Sequence, residues 1–160
     1  MCSRWPSMAG EQIELSEKRS DLGRPSRQFA ALPLRGQGKT LEVLLVTSRD
    51  TGRWVLPKGW AEDDLSGSKL AEKEAFEEAG IIGAVAAAPI GAYGYEKRLP
   101  KHRCRPCYVA VFTMRVKQEL DDWPERRQRQ RQWFKLTEAA GLVQEPELAD
   151  LFLRIAARAA

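Results

Sequence analysis

Histidine is almost missing from this chain: His102 is the only one in 160 residues. The commonest side chain for proton transfer at neutral pH is therefore scarce, and any acid–base work falls most economically to carboxylates. Cysteine is scarce too. Cys2, Cys104 and Cys107 cannot build a disulfide framework. Cys104-Arg-Pro-Cys107 has the C-x-x-C spacing of zinc and redox motifs, but no second pair accompanies it. It also opens a β-branched run that reads as a strand, where residues three apart point to opposite faces. A zinc or redox role is set aside. Long apolar runs are absent: stretches such as 81–90 and 108–114 are too short to span a bilayer. The start, MCSRWPSMAGEQ, has no apolar signal core, so the expected location is cytoplasmic, without membrane insertion. No internal repeat is visible.

What remains is an ordinary globular composition, 43% hydrophobic and 30% charged, in a length that suits one domain. The charge is unevenly spread. Residues 59–81 hold seven acids (Glu62, Asp63, Asp64, Glu72, Glu74, Glu77, Glu78) against two lysines, a local −5 in a chain of net charge +4. The remainder therefore carries +9. Glu74, Glu77 and Glu78 are spaced i, i+3 and i+4, so on a helix their carboxylates share one face. Like charges at that spacing oppose each other. Grouped hard oxygen ligands suit Mg²⁺, Mn²⁺ or Ca²⁺. An acidic pocket on a basic body fits a metal-bridged polyanion; basic surface charge also serves solubility alone.

Residues 1–25 are polar and aperiodic and read as a flexible N-terminal extension. The domain proper is 26–160. Residues 28–34 read as a strand, with Pro33 suggesting an edge or bulge. Residues 41–47 form a second, buried strand paired with it as a hairpin, and 54–57 a short third. The acidic stretch opens as a loop, with Ser66 as N-cap, a helix to Ala79 and Gly80 as the left-handed stop. Ala75, Phe76 and Ala79 are expected to pack on the sheet, opposite the glutamates. Residues 81–88 are ambiguous, 90–95 read as a strand, and 96–103 as a basic loop. Residues 107–116 alternate as a strong strand, and 117–131 form a long charged connection. Residues 132–136 read as a strand, 137–140 as a helical turn, and Pro146–Ala159 as an amphipathic helix. Interleaved strands and helices point to an α+β class, an α/β/α sandwich around a mixed β-sheet.

Residues 59–81 resemble the Nudix signature, G-x5-E-x7-R-E-U-x-E-E-x-G-U with U aliphatic. Gly59, Glu74, Ala75, Glu77, Glu78, Gly80 and Ile81 fall in register. Two positions depart: Leu65 replaces the first glutamate and Lys73 the arginine. Lys73 can reach Glu77 at i+4, but without the bidentate fork of an arginine. Further segments (LEVLLVTSRDTGRWVLPKGW, YEKRLPKHRCRPCYVAVFTMRV and LDDWPERRQRQRQWFKLTEA) look similar to the diphosphoinositol polyphosphate phosphohydrolase branch of that family. The Pro-Lys-Gly at Lys58 resembles dinucleoside polyphosphate hydrolases instead.

The resemblance implies a Nudix fold and an Mg²⁺-dependent hydrolase (Mn²⁺ an alternative) of a diphosphate bond. Its substrate would be a small-molecule polyphosphate, such as a diadenosine polyphosphate or a diphosphoinositol phosphate. Glu74 and Glu78 would be metal ligands. Glu77 would be the proton acceptor and would also lie close to the metal. The residues alone leave open which glutamate is the base. A backbone carbonyl near Lys58 or Gly59 would add a ligand. Arg49, Lys58, Gly59, Lys101 and Arg103 are the candidate substrate-binding residues. Trp60 and Tyr95 suit either base stacking or packing. Residues 126–131 read as a solvated basic loop, since they lack the interleaved aromatics of a single-strand platform, so RNA is not favoured. Two alternatives stand beside the hydrolase: an RNA 5′-pyrophosphate or ADP-ribose-type pyrophosphohydrolase, and a Nudix-fold binding module or regulator without catalysis. Leu65 and Lys73 are the features that favour the last. The sequence sets no oligomeric state.

Overall fold

A computed structural model describes residues Ser26–Ala160. The expected extension, residues 1–25, lies outside the described residues. Among the described residues, eight strands and three α-helices follow one another as β1 (Ser26–Arg35), β2 (Glu42–Thr47), β3 (Trp54–Val55), β4 (Lys58–Trp60), α1 (Gly67–Ala79), β5 (Ile81–Val85), β6 (Gly91–Leu99), β7 (Arg103–Glu119), β8 (Arg131–Lys135), α2 (Leu136–Leu142) and α3 (Pro146–Ala159).

The sheet is mixed and is built on one parallel pair. β1 runs alongside β7 from Ser26↔Cys107 to Leu34↔Arg115. All other pairings are antiparallel: β2 and β4 lie on the free edge of β1, β5 and β6 on the far edge of β7, and β3 and β8 on β2. β1 is therefore central, which corrects the edge position suggested by Pro33. Alternate amides in a strand point to the same edge, and Ala31 N–H donates to Pro57 O at 3.0 Å on the β4 side. Residue 33 faces that same edge, between the pairings with β4 at 28–30 and with β2 at 34–35. The donor that proline lacks falls where no ladder bond is made.

Period-two alternation sends side chains to two cores, one on each sheet face. Ala30, Leu32, Val43, Leu45, Val109 and Val111 pack with Leu136, Leu148, Leu151 and Phe152 of α2 and α3. Ala31, Leu44, Val46, Phe112 and Met114 pack with Ala71, Ala75 and Ala79 of α1. The result is the expected α/β/α sandwich. α3 carries Leu148, Leu151 and Phe152 inward along one stripe, each wholly or almost wholly buried. Full burial of such a side chain contributes roughly 1.5–3 kcal/mol.

α1 begins and ends where the sequence indicates. Ser66 Oγ accepts from Lys69 N–H at 3.2 Å, and Gly80 sits at φ 64°. Its packed face is Leu70, Ala71, Ala75, Glu78 and Ala79. The alanines let the helix axis come close to the sheet. Phe76 is not on that face: it is 41% exposed, in line with exposed Glu72 one turn earlier. The inward place beside Ala75 is taken by Glu78. Two loops are also redrawn. Residues 96–103 are the end of β6, a turn at Lys101 and His102 with positive φ, and the start of β7. β7 runs on to Glu119, so the charged connection is shorter than the pattern suggests. Residues 81–85 resolve as strand β5.

Candidate active site

α1 and β4 meet at the glutamates. Lys58-Gly59-Trp60 is pinned as a strand against Phe29 and its neighbours on β1, which fixes its backbone beside the helix. A β-carbon placed on Gly59 would fall on the Glu74 carboxylate, whose Cδ lies 2.5 Å away. Gly59 is thus where the missing side chain makes room for a glutamate. Glu78 is 6% exposed. Its two oxygens are held separately: Oε2 accepts from Lys58 N–H at 3.2 Å, and Oε1 pairs with Arg129 Nη2 at 3.0 Å. No described residue donates to the Glu74 or Glu77 carboxylate.

The electrostatics follow from this crowding. Burial pushes the Glu74 carboxyl up to about 7, helped by Glu78, Glu77 and Glu125. Burial also pushes Glu78 up to about 7, against the pull of Arg129 and Lys58. Burial lowers the Lys58 ammonium to about 8, with Glu78 and Glu145 opposing the shift. Grouped carboxyls raised by burial are a donor set that accommodates a divalent cation. Among the described residues no three His, Cys, Asp or Glu side chains converge on one point as a preformed cage. The reason is visible: Glu78 is turned towards Arg129, while Glu74 lies against Gly59.

Lys73 does not reach Glu77. Its Nζ pairs with Glu62 Oε1 at 3.0 Å, tying the acidic loop back to the helix. That contact raises the ammonium's pKa. The i, i+4 expectation is overridden because Glu62 comes within reach once the loop folds over the first turn.

The basic candidates are spread out. Arg49, 58% exposed, donates to Gln128 Oε1 at 3.0 Å and lies 3.7 Å from Glu125, at the border of the site. Lys58 is adjacent to the glutamates through its amide. Lys101 and Arg103 are exposed at the tip of the β6–β7 hairpin. The cations that lean on this region from the hairpin are Lys97 and Arg105, at 5.1 and 5.5 Å from the Trp60 ring. Trp60 is 39% exposed, so its indole is presented rather than buried. Tyr95 donates through its hydroxyl to Gln28 Oε1 at 2.6 Å. Cys107 is a buried free thiol and Cys104 lies exposed on the other face, so C-x-x-C is not a two-thiol site.

Sequence reasoning missed the segment between β7 and β8. It closes the C-terminus of α1, whose last carbonyls have no partner within the helix. Glu125 N–H donates to Glu77 O at 3.0 Å, and Trp123 Nε1 to Glu78 O at 3.1 Å. Arg131 Nη1 donates to Ala79 O at 2.8 Å and Gly80 O at 3.2 Å, and Leu120 N–H to Gly80 O at 2.8 Å. The Arg131 guanidinium lies 4.0 Å over the Trp123 ring, a cation at the negative end of the helix dipole. Arg129, 9% exposed, spans Glu78, Glu125 and Thr47 O. The basic run is therefore not a solvated loop throughout. The alternation Arg127, Arg129, Arg131 is the one signal that could have placed two of these arginines on one inward side.

The NUDIX domain model matches residues 24–154. The chain belongs to the Nudix family. Nudix hydrolase 12, mitochondrial, of Arabidopsis thaliana is 38% identical over 105 residues, covering 64% of this chain and 52% of that protein. Diphosphoinositol polyphosphate phosphohydrolase 3-alpha of Homo sapiens is 32% identical over 120 residues, covering 74% of this chain and 69% of that protein. The chain spans about half the length of most of the plant relatives it matches. Among solved structures, C. elegans Ap4A hydrolase superposes with TM-score 0.66 at 19% identity, covering 86% of this chain and 100% of that one. E. coli dihydroneopterin triphosphate pyrophosphohydrolase gives 0.65 at 14%, covering 87% and 100%. These superpositions establish the Nudix fold.

Proposed function

We propose that this chain is an Mg²⁺-dependent hydrolase of a phosphoanhydride bond in a nucleoside- or inositol-linked polyphosphate, such as a diadenosine polyphosphate or a diphosphoinositol phosphate. One observation carries the reading. Glu74, Glu77 and Glu78 come from one side of α1, with Glu74 against Gly59, Glu78 beside the Lys58 amide, and burial raising the Glu74 and Glu78 carboxyls. Glu74 and Glu78 are the proposed metal ligands, with Glu77 close to the same cation. A divalent cation held there supplies charge neutralisation on phosphate oxygens and acidifies water. Mn²⁺ is the natural alternative.

The chain's own groups then have separable tasks. Glu77, whose carboxylate has no donor among the described residues, accepts the proton of the attacking water. Glu78 is oriented through both oxygens. Arg49, beside Glu125, and Lys58, next to Glu78 through its amide, neutralise phosphate charge, and the Trp60 face with Lys97 and Arg105 borders the outer part of the substrate. The lowered Lys58 ammonium remains mostly protonated at pH 7, so it still serves as a cation. Arg129 and Arg131 are engaged inside the fold, which argues against the basic run as a continuous grip for RNA.

The test is turnover with Mg²⁺ on a panel of diadenosine polyphosphates, diphosphoinositol phosphates, ADP-ribose and 5′-triphosphate RNA. Phosphate or nucleotide release that falls by about 100-fold or more in Glu77→Gln is expected for loss of a general base. Unchanged turnover in that variant refutes the assignment of Glu77. Tight binding with no turnover on any substrate identifies a non-catalytic binding module instead.

A further inference from the structure

We infer that Arg129 is the positioning residue for the Glu78 carboxylate, in place of the signature arginine that this chain lacks. The inference rests on the metal-site reading above. Lys73, at the signature position, is turned to Glu62 and touches no helix glutamate among its ion pairs. Glu78 nonetheless has an arginine. It comes from the segment immediately before β8 and reaches Oε1 at 3.0 Å.

The geometry is that of a fixed bracket. Each nitrogen of the Arg129 guanidinium has one acceptor. Nε donates to Glu125 Oε1 at 3.1 Å, Nη1 to Thr47 O at 3.1 Å and Nη2 to Glu78 Oε1 at 3.0 Å. The acceptors belong to the charged connection, to the end of β2 and to α1. A planar fork held at three points cannot swing, so Glu78 Oε1 is held with it. Lys58 N–H holds Oε2 from β4. A lysine ammonium could reach at most part of this set, because its donors do not lie in one plane. Both side chains of the pair are about nine-tenths buried, so the contact is not diluted by solvent as a surface pair would be. The bonds from the Leu120 and Glu125 amides and from the Trp123 and Arg131 side chains to the carbonyls at the end of α1 anchor the same segment, so the bracket and the helix move as one body.

The experiment measures Mn²⁺ affinity of the full chain by electron paramagnetic resonance, with circular dichroism as the check on folding. Arg129→Lys and Arg129→Gln are expected to weaken Mn²⁺ binding by about 10- to 100-fold, the usual effect of removing an orienting partner of a ligand. Lys73→Ala is expected to change it by less than about twofold. Turnover at fixed substrate should need more Mn²⁺ for half-maximal rate, which a smaller folded fraction, lowering kcat alone, would not produce. Wild-type Mn²⁺ affinity unchanged in folded Arg129→Lys overturns the inference while leaving the metal site intact. A tenfold loss in Lys73→Ala overturns it even if neither Arg129 variant folds. A wild-type chain that binds no Mn²⁺ overturns the functional reading instead.

Discussion

Gly59→Ala separates the active-site role of a residue from its role in the fold. The substitution adds one methyl group in a strand conformation open to alanine, so the backbone cost is small. Removing glycine from the unfolded ensemble favours folding by about 0.4–1 kcal/mol. Against this, the new β-carbon would lie 2.5 Å from Glu74 Cδ and closer still to Oε1, about an ångström inside van der Waals contact. The obstruction is the far end of a flexible side chain, so Glu74 can swing away at a rotamer cost of about 0.5–1.5 kcal/mol. The two terms nearly cancel, and stability by urea denaturation should stay within about 1 kcal/mol of wild type. Activity should not survive as well. The carboxylate must leave its place beside Gly59, and a displacement of about 1 Å in a catalytic constellation costs on the order of 100-fold. The assay pairs Mg²⁺-dependent turnover with denaturation of the same samples. Turnover within about threefold of wild type would refute the argument that Gly59 exists to seat Glu74. A loss of more than about 2 kcal/mol would show that the glycine serves the backbone instead.

Gly80→Ala should act on the fold. It places a side chain at φ 64°, costing about 1–2 kcal/mol, and drives a methyl into the Trp123 ring 2.5 Å away. The expected loss is about 2–4 kcal/mol by thermal or urea denaturation, and less than 1 kcal/mol would contradict the packing described. The metal-free protein should become more stable as pH falls from 8 to 5.5. Glu78 is pushed from about 4.5 in the unfolded chain to about 7 in the fold, so between those values the folded state binds more protons. The gain is on the order of 2–3 kcal/mol from Glu78, with a smaller part from half-exposed Glu74. Saturating Mg²⁺ at pH 8 should abolish most of the difference. A melting temperature that is flat or falls towards pH 5.5 would refute this origin.

Much of the fold is legible in the sequence alone. Ser66 and Gly80 mark the ends of α1 because capping is local chemistry, and the stripe on α3 is a local period of 3.6. The alternation in β1, β2 and β7 determined which residues face each core. Pro33 misled because a proline excludes a ladder bond on one edge only, and which edge is free depends on where β2 and β4 end. Phe76 misled because a hydrophobic residue beside a packed face was assigned to it, whereas the sheet accepted the small alanines and the buried glutamate.

The sequence by itself determined the spacing of Glu74, Glu77 and Glu78 and the place of Gly59, since both follow from helix geometry and from a motif contiguous in the chain. What surrounds those carboxylates was decided only by tertiary structure. Lys73 turned to Glu62, not Glu77, because a loop eleven residues earlier in the chain folded within reach. Arg129 came to Glu78 from 51 residues away, and no period or propensity encodes that distance. Local rules specify which groups an element displays. The partner each group meets is selected by the packing of elements remote in sequence, where burial makes one long-range charged contact outweigh a nearer exposed one.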